Sequence, residues 1–247
     1  PSGQGQDSQV MPHLFYLDGT HKVLQWRVGT FLYAQARIPI NASVLEIGGG
    51  NDPHPVSQVI LDKFLDDNLH RSGQEKLLRK PPALWVDTSG KANDVTLTPA
   101  FVCGDAEQLP FPDQSFDFII AKDILEHCPD IEQAFSELQR VGHSGIVDVP
   151  KMSSEWLFQQ KIQHQWTFSR VGETIVAHKV DFDSPFGNLM HETFAKSAEI
   201  QKAWSLSRHY FHMVYLWDKK IDLKIGRPAM EEFVSNPFAM REYGERT

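Results

Sequence analysis

The chain has 247 residues, 41% hydrophobic and 23% charged, enough for one α/β domain with additions and a full buried core. A formal net charge of -8 and a pI near 5.7 disfavour non-specific binding to nucleic acid or anionic lipid. Cys103 and Cys128 are too few for a disulfide framework, so a reducing cytoplasm is the expected compartment, and no apolar run approaches the ~18 residues of a membrane span.

Residues 1–9 read as a disordered end without a secretory pattern. Thr20 can cap a helix over residues 21–37, with Val23, Trp26, Phe31 and Leu32 as its apolar positions and Gly29 as a weak point. Val44, Leu45 and Ile47 then suit a central strand that runs into Gly48, Gly49 and Gly50. Glycine admits backbone angles closed to other residues, and its missing side chain lets a ligand lie against the main chain. A phosphate grip is badly supplied there, because Pro53 and Pro55 each remove an N–H donor and push their predecessors away from helical angles. Glu46 and Asp52 add negative charge, which suits a nucleoside carrying an amine or sulfonium better than one carrying phosphates.

A second strand over residues 58–62 ends in Asp62, twelve residues past Gly50, where the dinucleotide fold allows about 20. The usual intervening helix is therefore shortened or replaced by a loop. Residues 66–93, rich in charge, proline and glycine, read as a surface excursion. A third strand, 101–103, ends at Gly104 and Asp105. A fourth, 116–121, is apolar apart from Asp117, as suits a strand covered on both faces, and Lys122, Asp123 and then Leu125-Glu126-His127 follow its carboxyl end. Asp130 caps a helix over 131–141 whose stripe is Ile131, Ala134, Phe135, Leu138 and Val141, with Gly142 ending it. A fifth strand covers 145–149. From Lys151 onward aromatics and histidines replace the alternation, notably Trp156, Phe158, His164, Trp166, Phe168, Phe186 and His191, which suits a lid or acceptor pocket. Residues 200–208 read as a helix, and 212–217 with 221–225 as a hairpin.

Taken together, Val44 through Asp52, Gly104-Asp105-Ala106-Glu107-Gln108-Leu109-Pro110-Phe111, Phe116 through Ala121, and Leu125-Glu126-His127 resemble a class I S-adenosylmethionine-dependent methyltransferase of the small-molecule type, over roughly residues 44–150. The resemblance implies an α/β, Rossmann-like class I methyltransferase fold. Its sheet would be mostly parallel and seven-stranded, with an antiparallel C-terminal hairpin edge and an inserted lid/acceptor region. The chain would divide into an N-terminal tail and cofactor-covering helix (1–43), a cofactor-binding core (44–150), a lid/acceptor-pocket insertion (151–208), and a C-terminal hairpin with its tail (209–247). The implied cofactor is S-adenosyl-L-methionine, held by Glu46, Gly48, Gly49 and Gly50, by Asp62 on the ribose hydroxyls with Lys63 beside it, and by Lys122. Asp105 would accept the adenine amino group and the Ala106 N–H would reach a ring nitrogen, unless Asp105 serves only an Asx-turn. Arg27 or Lys22, on the covering helix, would meet the cofactor's carboxylate.

Methyl transfer needs an aligned acceptor and, for a hydroxyl or ammonium, removal of a proton, for which histidine suits neutral pH. The candidates are His127, His164 and His191. No metal is expected, because these histidines and their acidic neighbours lack the local spacing of a zinc or iron motif. The reading is methyl transfer to a hydroxyl or amine of a small metabolite. The alternative is a protein that keeps the fold and cofactor in a non-methylating or regulatory role. The partner is a small-molecule acceptor, with neither membrane nor nucleic acid, and a homodimer is left open.

Overall fold

The computed structural model describes residues 15–17, 20–28, 31–49, 54, 56–63, 83–87, 92–95, 99–158, 164–180 and 185–226. The strands in chain order are β1(Phe15–Leu17), β2(His21–Val28), β3(Phe31–Pro39), β4(Val44–Ile47), β5(Val59–Asp62), β6(Ala83–Asp87), β7(Ala92–Val95), β8(Ala100–Cys103), β9(Phe116–Lys122), β10(Gly142–Pro150), β11(Trp166–Val171), β12(Thr174–Lys179), β13(His212–Asp218) and β14(Asp222–Ile225). The helices are α1(Ile131–Val141), α2(Met152–Phe158), α3(Pro185–Lys196) and α4(Ala198–Phe211).

The central sheet runs β13-β10-β9-β4-β5-β8, parallel throughout except for β13, which is antiparallel to β10. This is a Rossmann-like, doubly wound α/β sheet, as the resemblance implies. The chain steps outward from β4 to β5 and β8, then returns to β9 on the other side of β4. Ligands of open α/β sheets bind where the order reverses, beyond the carboxyl ends of the strands. That place here is the crevice between β4 and β9.

Alternation along the strands supplies both faces of the sheet. Leu45, Ile47, Ile119 and Ala121 point into a core with Phe135 and Leu138 of α1 and Phe168 of β11. Helix α1 forms as its sequence predicts, with the Gln133 N–H donating to the Asp130 carboxylate at 3.0 Å and its stripe of apolar residues buried. On the opposite face, Val44, Phe118, Ile120 and Ile146 are covered by Leu24, Ala34, Ala36 and Ile38.

That cover is a β-hairpin, not the predicted helix over residues 21–37. Helical spacing of four apolar residues loses here to alternation: Ala34, Ala36 and Ile38 are buried while Gln35, Arg37 and Pro39 are exposed. The antiparallel register runs from His21↔Pro39 to Val28↔Phe31. The hairpin belongs to a second sheet, β3-β2-β1-β6-β7. Part of the predicted surface excursion over 66–93 is thus strand, at β6 and the start of β7.

Among the described residues the sheet has six strands where seven are predicted, because the C-terminal hairpin is divided between two sheets. Lys219 has φ 63° and turns the chain away, Ile221 is buried with its N–H on the Gln139 side chain at 2.8 Å, and β14 pairs parallel with β12. Strands β11, β12 and β14 make a third sheet, packed through Phe168 and Ile175 on the main core.

Candidate active site

On the β5 side of the crevice the main chain does most of the building. Gly48 has φ +69°, and a Cβ there would lie 2.8 Å from the Ile124 side chain, so both the turn and its packing against the loop after β9 require glycine. Its N–H donates to Leu61 O at 2.8 Å. Gly49 is buried, whereas Gly50 lies outside the described residues, as do Asp52, Pro53 and Pro55. The buried Glu46 carboxylate accepts the His54 N–H at 2.7 Å and the Ser57 hydroxyl at 2.6 Å, folding the chain beyond the turn back onto β4. Sequence reading missed His54 and Ser57, although a carboxylate inside a central strand demands partners of this kind.

Asp62 is buried at the tip of β5, and its carbonyl accepts the Gly104 N–H at 3.1 Å, which brings the tip of β8 alongside. Asp105 forms the Asx-turn: Oδ1 accepts the Glu107 N–H at 3.1 Å and the carbonyl accepts the Gln108 N–H at 3.0 Å. Its Oδ2 lies 2.6 Å from Lys63 Nζ, in a pair whose side chains are 38% and 55% exposed. The lysine hydrogen bond holds the Asp105 carboxyl below its usual range, and Asp105 raises Lys63 in turn. The Ala106 N–H has no acceptor among the described residues.

Across the crevice, side chains from distant segments converge. Asp123, at φ 54°, donates its N–H to Asp148 O at 3.0 Å. His212 Nδ1 stands 3.1 Å from the buried Asp148 carboxylate and 3.6 Å from that of Asp123, clamping the loop that leaves β9. Lys122 lies opposite Asp148 in the β9–β10 register. A 3-10 turn, Leu125–His127, follows. The Glu126 side chain is 1% exposed and that of His127 34%, with Oε1 and Nε2 4.0 Å apart. His164, 9% exposed, bonds through Nδ1 to Glu155 of α2, which is 1% exposed. The His127 and His164 rings stand edge to face with centroids 4.9 Å apart.

Residues 164–166 are stitched to this turn. Glu126 O accepts the Gln165 N–H at 2.7 Å, His127 O accepts Gln165 Nε2 at 3.2 Å, and Cys128 O accepts Trp166 Nε1 at 2.8 Å. Burial pushes the Cys128 thiol up to about 12, so at neutral pH it is not a nucleophile.

His127 and His164 are therefore brought together, whereas His191 lies exposed on α3 with no hydrogen bond or ring contact to the pair among the described residues. Arg27 lies on β2, not on a covering helix, and its side chain is outside the described residues. Lys22 is buried in β2, which lowers its pKa.

Known proteins share stretches of this sequence. Residues 83–146 match the family model described as "Methyltransferase domain". The ubiquinone/menaquinone biosynthesis C-methyltransferase UbiE of Cupriavidus metallidurans is 28% identical over 160 residues, 61% of this chain and 58% of that protein. The sterol 24-C-methyltransferase erg6 of Aspergillus fumigatus is 29% identical over 117 residues, 47% of this chain and 29% of its own. The chain thus spans a little over half the length of its UbiE relative. Among solved structures, the YcgJ protein of Bacillus subtilis has 15% identity and a TM-score of 0.38 over 68% of this chain and 76% of its own, too distant to bear on function.

The matched stretch is similar to a methyltransferase domain, and the sheet order is the one expected from the resemblance to class I methyltransferases. S-adenosyl-L-methionine is the cofactor that the resemblance to this family implies. The residues fit it: two carboxylates, Asp62 and Asp105, stand at adjacent strand tips beside the Ala106 N–H and a glycine turn.

Proposed function

We propose that the chain transfers a methyl group from S-adenosyl-L-methionine to a hydroxyl or amine of a small metabolite, with a histidine of the β9-tip cluster taking the acceptor's proton. The observation that carries this is the contact of His127 with the Glu155-bound His164, across the switch-point crevice from Gly48, Asp62 and Asp105. The cofactor supplies an electrophilic methyl; everything else is positioning and proton removal.

On the cofactor side, Asp62 holds the ribose hydroxyls, Asp105 the adenine amino group and the Ala106 N–H a ring nitrogen. Gly48, Gly49 and Gly50 let the cofactor lie on the main chain, and Glu46 acts by shaping the turn. Lys63 must release Asp105 first; so exposed a pair contributes only about 0–1 kcal/mol. Lys122 at the tip of β9 and Arg27 of β2 are assigned to the cofactor's charged amino-acid end. On the acceptor side, Glu155 accepts the His164 Nδ1–H, which leaves Nε2 as the basic nitrogen. Residues 151–208 supply both of these groups and form the acceptor wall. His191, exposed on α3, ranks last among the three histidines.

A second reading rests on the relatives' names: UbiE and the sterol enzyme are called C-methyltransferases, and the same crevice suits a carbon acceptor activated by loss of a neighbouring proton.

The test is calorimetry with S-adenosylhomocysteine, then turnover with panels of hydroxyl, amine and carbon acceptors. A Kd in the micromolar range, on the order of -8 kcal/mol, that is weakened at least about tenfold by Asp62→Ala supports the cofactor assignment. No binding would end it, and binding without turnover on any panel would favour the non-methylating alternative. His164→Ala is expected to lower kcat by about 100-fold or more while leaving the S-adenosylhomocysteine affinity as it was.

A further inference from the structure

Glu126, His127 and His164 each present a ligand atom, and the three atoms lie within 4.8 Å of one another. We propose that these residues form a site for one divalent first-row transition-metal ion, bound by two imidazoles and a carboxylate. The sequence offers these residues without the local spacing of a metal motif, since His127 and His164 stand 37 positions apart.

Three features make this more than a chance meeting of polar groups. The donor set is two histidines and a carboxylate, the set that zinc and non-haem iron sites use with a further position open to water or substrate. Glu155, 1% exposed, engages Nδ1 of His164 and leaves Nε2 for an ion. A carboxylate behind a ligating histidine is the usual outer partner of such sites, fixing the tautomer and raising the ligand's basicity. The frame is also fixed: the carbonyls of three successive residues, 126 to 128, accept hydrogen bonds from Gln165 and Trp166, so the segment bearing His164 cannot slide along the one bearing the other two ligands. Ligand atoms in a tetrahedral site stand roughly 3.4 Å apart, given bonds of about 2.1 Å. Closing around an ion therefore needs a contraction of up to about 1.4 Å, and His127, at 34% exposure, is the ligand with room to turn.

The inference goes beyond the methyl-transfer reading and does not depend on it. With an ion in place His127 and His164 would each give it one ring nitrogen, and the ion would offer an open position able to take water or an acceptor hydroxyl and lower that group's pKa. In metal-free protein the histidine-base assignment stands.

The experiment uses the full chain, stripped with EDTA and dialysed, then titrated with zinc chloride by calorimetry and with cobalt chloride by visible absorption. The expected result is one ion per chain with a Kd of micromolar or below, and a cobalt d–d band. His164→Asn and His127→Ala should each abolish the band, Glu155→Gln should weaken binding by about 10- to 100-fold, and His143→Ala, at the exposed start of β10, should leave it unchanged. Circular dichroism and S-adenosylhomocysteine binding check the fold of the buried variants, and His127→Ala carries the test should His164→Asn not fold. Absence of stoichiometric binding, or a cobalt band that survives His127→Ala, overturns the site. Neither result touches the cofactor titration, so its failure and that of the methyltransferase reading are distinguishable.

Discussion

The crevice side made by β4, β5 and β8 is held by main chain: a glycine at φ +69°, N–H groups paired to neighbouring strands, and a carboxylate, Glu46, that bonds the turn beside it. The opposite side is held by side chains from remote stretches, with His127 beside Glu126 meeting the Glu155-bound His164, and His212 meeting Asp148. Recognition of a cofactor shared by a large family needs only strand tips and amides, which one βα-type turn can provide. An acceptor pocket has to be assembled afresh, so it draws on whatever the later chain folds over the sheet. Two halves of one crevice thus have different sensitivities to mutation.

The largest expected effect falls where the two sides share a core. Phe168 of β11 is fully buried, with its ring centroid 6.4 Å from that of Phe135 in α1. Phe168→Ala should cost about 3–5 kcal/mol in urea unfolding. A single shifted transition would mean that both sides fold as one unit, and two transitions would mean that the segment carrying β11 melts alone. Gly48→Ala comes next, at about 1–3 kcal/mol for the backbone angle, with more from the approach to Ile124. It should weaken S-adenosylhomocysteine binding more than it weakens the fold; intact binding would show that the turn is only structural.

A smaller effect belongs to Glu137, which accepts the Leu109 N–H and two Arg140 donors, while Arg140 also reaches the carbonyls of Leu109 and Phe111. These bonds hold the Glu137 carboxyl below its ordinary 4.5, with the Arg140 hydrogen bond as the leading cause. Its contribution is therefore present above pH 4.5 and is lost as pH falls below that value and through the folded pKa. Glu137→Gln should be less stable than the native chain at pH 7 and should converge with it in acid unfolding curves; a constant gap would refute the linkage. The smallest expected effect is that of Lys63→Ala, within about 1 kcal/mol of native stability because the Asp105 pair is exposed. Cofactor affinity should hold or rise, and a large fall would instead make Lys63 a direct contact.

Wherever one short stretch decided the outcome, the sequence was enough. Asp130 and the five apolar positions after it specify α1, and the run from Phe116 to Ala121 specifies a doubly covered strand, since capping and periodicity act within a few residues. The strand ends that carry Gly48, Asp62 and Asp105 were legible for the same reason, and parallel pairing of β4, β5 and β8 then brings those ends together. Residues 21–37 were not, because their apolar positions satisfy a helical period and a strand period alike, and only the face offered by Val44, Phe118 and Ile120 selects the strand. Tertiary structure alone also sent β14 to β12, and it alone joined Glu155 to His164 and His164 to His127. Local chain stiffness and hydrogen bonding write the first set into neighbouring residues, whereas the second exists only once burial has brought distant segments into contact.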